Sequence, residues 1–559
     1  MTAPGTPVLR LTDVSISYRH SDSRWHRAVH DVSWEIAPGE VTALVGESGS
    51  GKSTTAQAVI GLLADNGRLD GGRIELQGTD IAGWSQRRLR GVRGAKVGLI
   101  PQDPGSSLNP VRTIGAQVGE AFQLHGRMPT KQRTERVLEL LARVGLSDPR
   151  LRYGQYPHEL SGGMRQRVLI AAAIALRPQL IIADEATSAL DVTVQRRVLD
   201  LLDDLRREDG TAVLLVTHDL GVAADRSDRI VVMRHGRVQE QGRTADVLAH
   251  PESGYTARLL ADAPSLHLRQ AVSVSTAAAA TPVSVPPADR PIAAEVRHLV
   301  QDFEVGRGRT FRAVDDLSFA VPRGTTHAIV GESGSGKTTT VRALVGFRKP
   351  TSGDILVGGT DVGALDRAAL RRFRRTLQLV SQNPFASLDP RRSIGWIVGE
   401  PLLNFPEVLG ADGAGTGRGA AAARSRRVAA LLDRVGLPAD VTDRTPRELS
   451  GGQRQRVAIA RALVLEPDVV VLDEPVSALD VTVQAQILRL LGDLQRDLGL
   501  TYVFVSHDLA VVSTIADTVT VMSGGRQVES GAVTEVFTDP QHDYTRELIR
   551  AIPGGGRTA

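Results

Sequence analysis

Short apolar runs, bounded by glycine or by charge, set the pattern along this chain, and they come in matched pairs. "VTALV" from Val41 pairs with "THAIV" from Thr326, and "VGLI" from Val97 pairs with "LQLV" from Leu377. "LIIAD" from Leu180 pairs with "VVVLD" from Val469, and "AVLLV" from Ala212 with "YVFV" from Tyr502. Runs this short with little polar alternation read as strands buried on both faces. After the first pair comes a glycine-rich loop, "GESGSGKST" from Gly46 and "GESGSGKTT" from Gly331. A helix-like stretch follows each loop, "TTAQAVIGLL" and "TTVRALVGF". Strands interleaved with helical stretches predict an α/β fold, built twice.

The repeat extends well past the loop. "LSGGMRQRV" from Leu160 returns as "LSGGQRQRV" from Leu449, and "ADEATSALDVTVQ" from Ala183 as "LDEPVSALDVTVQ" from Leu472. "VTHDL" returns as "VSHDL", and "PQDPGSSLNP" as "SQNPFASLDP". The two loop lysines lie 285 residues apart, and the later motifs 289. Solenoid repeats run about 20–50 residues, so this spacing is a duplicated domain. The extra residues are placed in "NFPEVLGADGAGTGRGAAAARSRR" from Asn404, a Gly/Ala/Arg-rich stretch expected to be a flexible surface loop. The expected domains are residues 1–262 and 292–559, joined by a flexible Ala/Ser/Pro-rich linker over 263–291. Its relaxed reach is roughly 25–30 Å, enough for the halves to meet at near-millimolar effective concentration.

Composition narrows the chemistry. The 559 residues contain no cysteine, which excludes disulfides, thiolate zinc sites, cysteine-ligated iron–sulfur clusters and cysteine nucleophiles. The formal charge of +4 is weak for this length. Positive charge gathers in "RRLRGVRGAK" from Arg87 and "RAALRRFRR" from Arg367, which read as solvated basic helix faces rather than nucleic-acid patches. The longest apolar run, "VLIAAAIAL" from Val168, falls short of the roughly 20 residues a spanning helix needs. The N-terminus lacks a charged-then-apolar leader pattern, so a cytosolic location is expected.

The glycine loops sit between a strand and a helix, where backbone N–H groups and the helix N-terminus hold phosphate. Gly46, Ser48, Gly49, Gly51, Lys52, Ser53 and Thr54 form the first candidate nucleotide loop. Gly331, Ser333, Gly334, Gly336, Lys337, Thr338 and Thr339 form the second. Lys52 and Lys337 would reach the β- and γ-phosphates, with the Ser53 and Thr338 hydroxyls on Mg²⁺. Asp184 and Asp473, at strand ends, would assist the metal. Glu185 and Glu474 are placed to orient the attacking water. His218 and His507 end further strands and could touch the γ-phosphate. Gln102 and Gln382 follow the strands "VGLI" and "LQLV", within reach of Mg²⁺ or the water.

With the loop, the glutamine, the "LSGGQ"-type signature, the acid pair, the "SALD" turn and the histidine in that order twice, the chain resembles a tandem ATP-binding-cassette ATPase. The resemblance implies two P-loop cassettes, each with a RecA-like α/β core, an antiparallel β subdomain and a helical subdomain bearing the signature. It implies that ATP is sandwiched head to tail between the loop of one half and the signature of the other. Lys52 and Glu185 would then work with Ser450, Gly451 and Gly452, and Lys337 and Glu474 with Ser161, Gly162 and Gly163. Tyr18 and Phe303 match the family's adenine-stacking aromatic, and Asp191 and Asp480 its interface aspartates. Met164 and Ala186 depart from the second half's Gln453 and Pro475, and neither stands where phosphate or water contact is expected. Both sites are therefore expected to hydrolyse.

The endings "HPESGYTARLLADAP" and "DPQHDYTRELIRAIP" resemble the C-terminal extension of oligopeptide, dipeptide and nickel importer ATPases. That branch implies two integral-membrane permeases, an extracytoplasmic solute-binding protein, and a place on the cytoplasmic face of the membrane. Peptides are the leading cargo, with nickel, glutathione, opines and oligosaccharides open. The rival class is a soluble tandem cassette protein acting on ribosomes. Its typical long charged helical linker is missing here, because Gln270 to Asp289 is nearly uncharged.

Overall fold

The computed structural model describes residues 6–19, 24–126, 128–187, 190–266, 268, 290–306, 308–410, 418–477 and 479–554. These form two compact units, residues 1–266 with 553–559, and residues 267–552. Each unit contains the same two sheets.

In the first unit the core sheet has six strands. In spatial order they are Arg237–Arg243, Arg229–Arg234, Val41–Val45, Ala212–Thr217, Leu180–Asp184 and Val97–Ile100. All neighbours are parallel except the Arg237–Arg243 edge strand, which pairs antiparallel. The apolar runs of the sequence are these parallel strands; every residue of Val41–Val45, Leu180–Asp184 and Ala212–Thr217 is buried. The second unit repeats the sheet with Thr326–Val330 at its centre. A separate four-stranded antiparallel sheet, led by Leu9–Arg19 and Trp25–Ile36, supplies the other layer. Its inward residues Leu9, Leu11, Ile16 and Ile36 pack with Leu44, Val59 and Ile182 into one core.

A second core lies under a helical layer. Ile114, Phe122, Val137 and Leu141 close on the signature helix Gly162–Ala173 and on the core sheet at Ile181 and Val213. The architecture matches expectation: α/β, two cassettes, each with a parallel core, an antiparallel sheet and a helical subdomain.

The stretch from Asn404 departs from expectation. Arg418–Arg434 is a helix of 17 residues whose Ala423, Val428, Leu431 and Leu432 are buried. The alanines and arginines that looked loop-like are strong helix formers, and Ala423, Val428, Leu431 and Leu432 give the helix a buried face. Residues 411–417 lie outside the described residues. So does most of the linker, where Pro264–Leu266 and Leu268 are helical.

Candidate nucleotide and catalytic site

Register brings the motifs to one edge. Val45 pairs with Thr217, Asp184 with Val216, and Ile100 with Ala183, so Gly46, His218, Glu185 and Gln102 all emerge at the carboxyl ends of adjacent strands. In open α/β sheets this edge is where ligands bind.

The loop is shaped by glycine. Gly46 has φ 149°, and a Cβ there would lie 2.1 Å from the Met233 carbonyl oxygen. Gly51, at φ 98°, precedes the helix Lys52–Val59. No side chain caps that helix and no acid occupies its first turn, which leaves its first N–H groups and positive dipole end available to an anion. The same holds at Gly336 and Lys337–Leu344. Lys52 is buried, its Nζ donating to the Gly46 and Glu47 carbonyls at 2.7 and 2.9 Å. Lys337 donates to Gly331 and Glu332 at 2.6 and 2.7 Å. Ser50 Oγ and Ser335 Oγ are buried inside the loops without a hydrogen-bond partner. The cradle fits a polyphosphate.

Beside it, one carboxylate is held by two other motifs. Gln102 Nε2 donates to Glu185 at 2.6 Å, and His218 Nδ1 lies 3.4 Å from its other oxygen. In the second half Gln382 donates to Glu474 at 2.7 Å, with His507 Nδ1 at 3.1 Å. Burial pushes the Glu185 pKa up. The hydrogen bond and charge of His218, the charge of Lys52 and the Gln102 bond outweigh it, so the net shift is downward. Burial pulls His218 down, but the Glu185 carboxylate and Asp219 leave it above its ordinary value. Glu474 and His507 behave alike. Each pair is therefore an ionised carboxylate beside an imidazole that favours its proton.

Asp184 accepts the Ser53 hydroxyl at 2.9 Å. Its pKa is raised, first by burial and then, against the Ser53 bond, by the Glu185 charge. Asp473 is pushed up to about 6 by burial and by Glu474, against the charges of Lys337 and Arg342. Among the described residues no hydrogen bond joins Thr338 to Asp473, and Thr338 is exposed.

The signature residues cap helices. Ser161 Oγ accepts the Met164 N–H at 3.3 Å, opening Gly162–Ala173. Ser450 Oγ accepts from Gln453, whose side chain accepts the Ser450 N–H at 3.0 Å in return. Asp191 and Asp480 likewise cap the helices Val192–Asp209 and Val481–Leu498. Tyr18 and Phe303 lie in the antiparallel sheets. The Tyr18 ring packs against Gly67, where a Cβ would come within 2.7 Å of it. The Arg348 guanidinium covers Phe303 at 4.3 Å.

Two features escaped the sequence. Glu185 and Glu474 have φ of 47° and 48°, a left-handed backbone that costs a non-glycine residue about 1–3 kcal/mol. Each is held there by its N–H donating to the carbonyl of Val216 or Val505 at 2.9 Å. The Tyr255 and Tyr544 hydroxyls, from the two endings, accept backbone N–H groups of the phosphate loops. The shared "YT" at a spacing of 289 residues was the available signal.

A model of the ABC transporter domain matches residues 29–188 and 314–477, over half of the chain. The chain belongs to the ABC transporter family. ATP hydrolysis is the chemistry of this ABC transporter's cassettes. A second model, the C-terminal region of oligopeptide/dipeptide transporters, matches residues 528–557. The ABC transporter chain is 41% identical to the oligopeptide transport ATP-binding protein OppD of Mycobacterium tuberculosis, covering 98% of each. It is 42% identical to the peptidoglycan transport ATP-binding protein YejF of Agrobacterium fabrum, covering 98% of this chain and 96% of that one. It is 41% identical to the glutathione import ATP-binding protein GsiA of Salmonella typhimurium, covering 98% and 89%. Among the described residues, no helix of this ABC transporter protein is long and apolar enough to cross a membrane.

Proposed function

We propose that this chain is the fused pair of ATPase subunits of a membrane importer for peptides. The observation that carries the proposal is the match of residues 528–557 to the oligopeptide/dipeptide transporter C-terminal region. The printed functions of the relatives point the same way: oligopeptide, peptidoglycan and glutathione transport share peptide-like cargo. On this reading the chain works at the cytoplasmic face of the membrane with two permeases, and an extracytoplasmic binding protein selects the peptide.

The chemistry follows from the residues. Lys52 leaves the Gly46 and Glu47 carbonyls to contact the phosphates, and the first N–H groups of its helix hold their charge. Glu185, ionised and fixed between Gln102 and His218, orients the attacking water and takes its proton. Ser53, Gln102 and Asp184, with Thr338, Gln382 and Asp473, offer the hard oxygen donors that Mg²⁺ prefers. Bound there, the ion would neutralise triphosphate charge. Tyr18 and Phe303 stack on adenine. The signature residues Ser450–Gly452 and Ser161–Gly163 add N–H and hydroxyl donors suited to a γ-phosphate. The support is the duplication itself together with family membership.

The test is Glu185→Gln with Glu474→Gln. The variant should bind ATP, while turnover falls by about 10²–10⁴-fold, the span of general-base loss. Captured with ATP from membranes in mild detergent, it should bring two polytopic proteins. Normal turnover would overturn the base assignment. Recovery with ribosomes and no membrane protein would overturn the importer.

A further inference from the structure

Both halves close with a short helical extension, and one side chain of each extension reaches the phosphate loop. In the first half, Glu240 accepts the N–H groups of Glu252 and Ser253 at 2.8 and 3.1 Å. This fixes the start of the helix Gly254–Ala261. The helix buries Tyr255, whose hydroxyl accepts the Glu47 N–H at 3.2 Å. In the second half, Glu529 accepts from Gln541 and His542 at 2.8 and 3.1 Å, and the Tyr544 hydroxyl accepts the Glu332 N–H at 3.2 Å.

The Glu47 N–H and the Gly46 carbonyl belong to one planar peptide unit. Lys52 Nζ donates to that carbonyl at 2.7 Å. The unit is thus pinned at both ends, by the catalytic lysine on its oxygen and by the extension tyrosine on its N–H. Glycine at position 46, with φ 149°, gives this unit rotational freedom that a side chain would remove. Gly331, Glu332, Lys337 and Tyr544 repeat the arrangement, with Gly331 at φ 148°.

We propose that Tyr255 and Tyr544 are positioning residues for ATP. Each holds the first peptide of the phosphate loop in the orientation that directs the lysine, so docking of the extension sets nucleotide affinity. The inference rests on Lys52 and Lys337 being the phosphate-binding lysines.

The experiment uses the full chain carrying Tyr255→Phe, Tyr544→Phe or both, which removes only the hydroxyls. Mg-ATP binding is measured by calorimetry, and steady-state turnover gives KM and kcat separately. The expected result is a Kd and KM raised about fivefold, the worth of one neutral hydrogen bond, with kcat and melting temperature nearly unchanged. Hydrogen exchange over residues 46–52 and 331–337 should quicken. Glu240→Gln, which loosens the extension without touching the loop, should raise KM in the same direction. Lys52→Ala with Lys337→Ala serves as the control. If those variants still bind ATP normally, the loop reading fails and the inference with it. If they lose ATP while the phenylalanine variants bind like the parent, the inference alone is overturned. A lowered melting temperature with unchanged Kd would also overturn it, leaving the tyrosines a purely structural role.

Discussion

In the two halves of this 559-residue chain the candidate catalytic glutamates are held almost identically. The glutamine–glutamate bond is 2.6 Å in one half and 2.7 Å in the other. The strained glutamates agree to one degree, and the tyrosine–loop bonds are both 3.2 Å. Other positions diverge, both on the core strands and near that edge. Thr42 on the central strand is replaced by His327, which is buried, stacked on Phe319 and bonded to Thr518 and Thr520. Met164 stands in place of Gln453, and Arg234, over the Tyr255 ring, in place of Ser523. A core strand tolerates different side chains if each finds volume and partners, whereas a reacting centre fixes positions to tenths of an ångström.

The largest test of this equivalence removes one half's chemistry at a time. Lys52→Ala and Lys337→Ala should each lower phosphate release by well over half, and by similar factors, if the sites are coupled and equal. A loss near one half would show independent sites. A large inequality would show that the halves, alike in geometry, are not alike in use.

The next test separates the cores. Burial alone depresses the His327 pKa from 6.5 to about 3, so the folded second half keeps it neutral. Unfolding lets it take a proton below pH 6.5. The stability it protects is therefore full above that value and is lost progressively as pH falls toward 3. Between pH 7 and 5 this amounts to about 2 kcal/mol. Denaturation of the second half should show the slope, and His327→Thr should flatten it toward that of the first half. An unchanged slope would place the titration elsewhere.

A smaller effect concerns the signature helix. Gln453 returns a bond to the Ser450 N–H that Met164 cannot return to Ser161. Met164→Gln should add about 0.5–1 kcal/mol to first-half stability, read as a rise in its melting temperature. Smallest of all, Thr338→Ser, which keeps the hydroxyl and removes only a methyl group, should change turnover by less than about threefold.

Much of this was legible in the sequence because the parallel strands are buried on both faces, which writes them as unbroken apolar runs. Their order and the loop lysines, acids, histidines and glutamines followed. The helix Arg418–Arg434 was not legible, since an Ala/Gly/Arg-rich stretch lacks the apolar density that announces a buried face. The backbone of Glu185 and Glu474 was hidden for another reason. Positive φ is advertised by glycine, and here a glutamate occupies the position. The tyrosine contacts are long-range, joining residues 208 and 212 positions apart, and no local pattern encodes them.

The resting place of the loop lysine has a consequence for what this edge will admit. An ammonium seated on two carbonyl oxygens is already well solvated by the protein, so no ligand recruits it merely by being negative. A visitor must outcompete two short bonds within a buried cleft. A single weakly held anion is poorly equipped to do that, and a chain of linked phosphates anchored along the helix start is well equipped. On the proposed reading the lysine would thus set a threshold of charge number and reach.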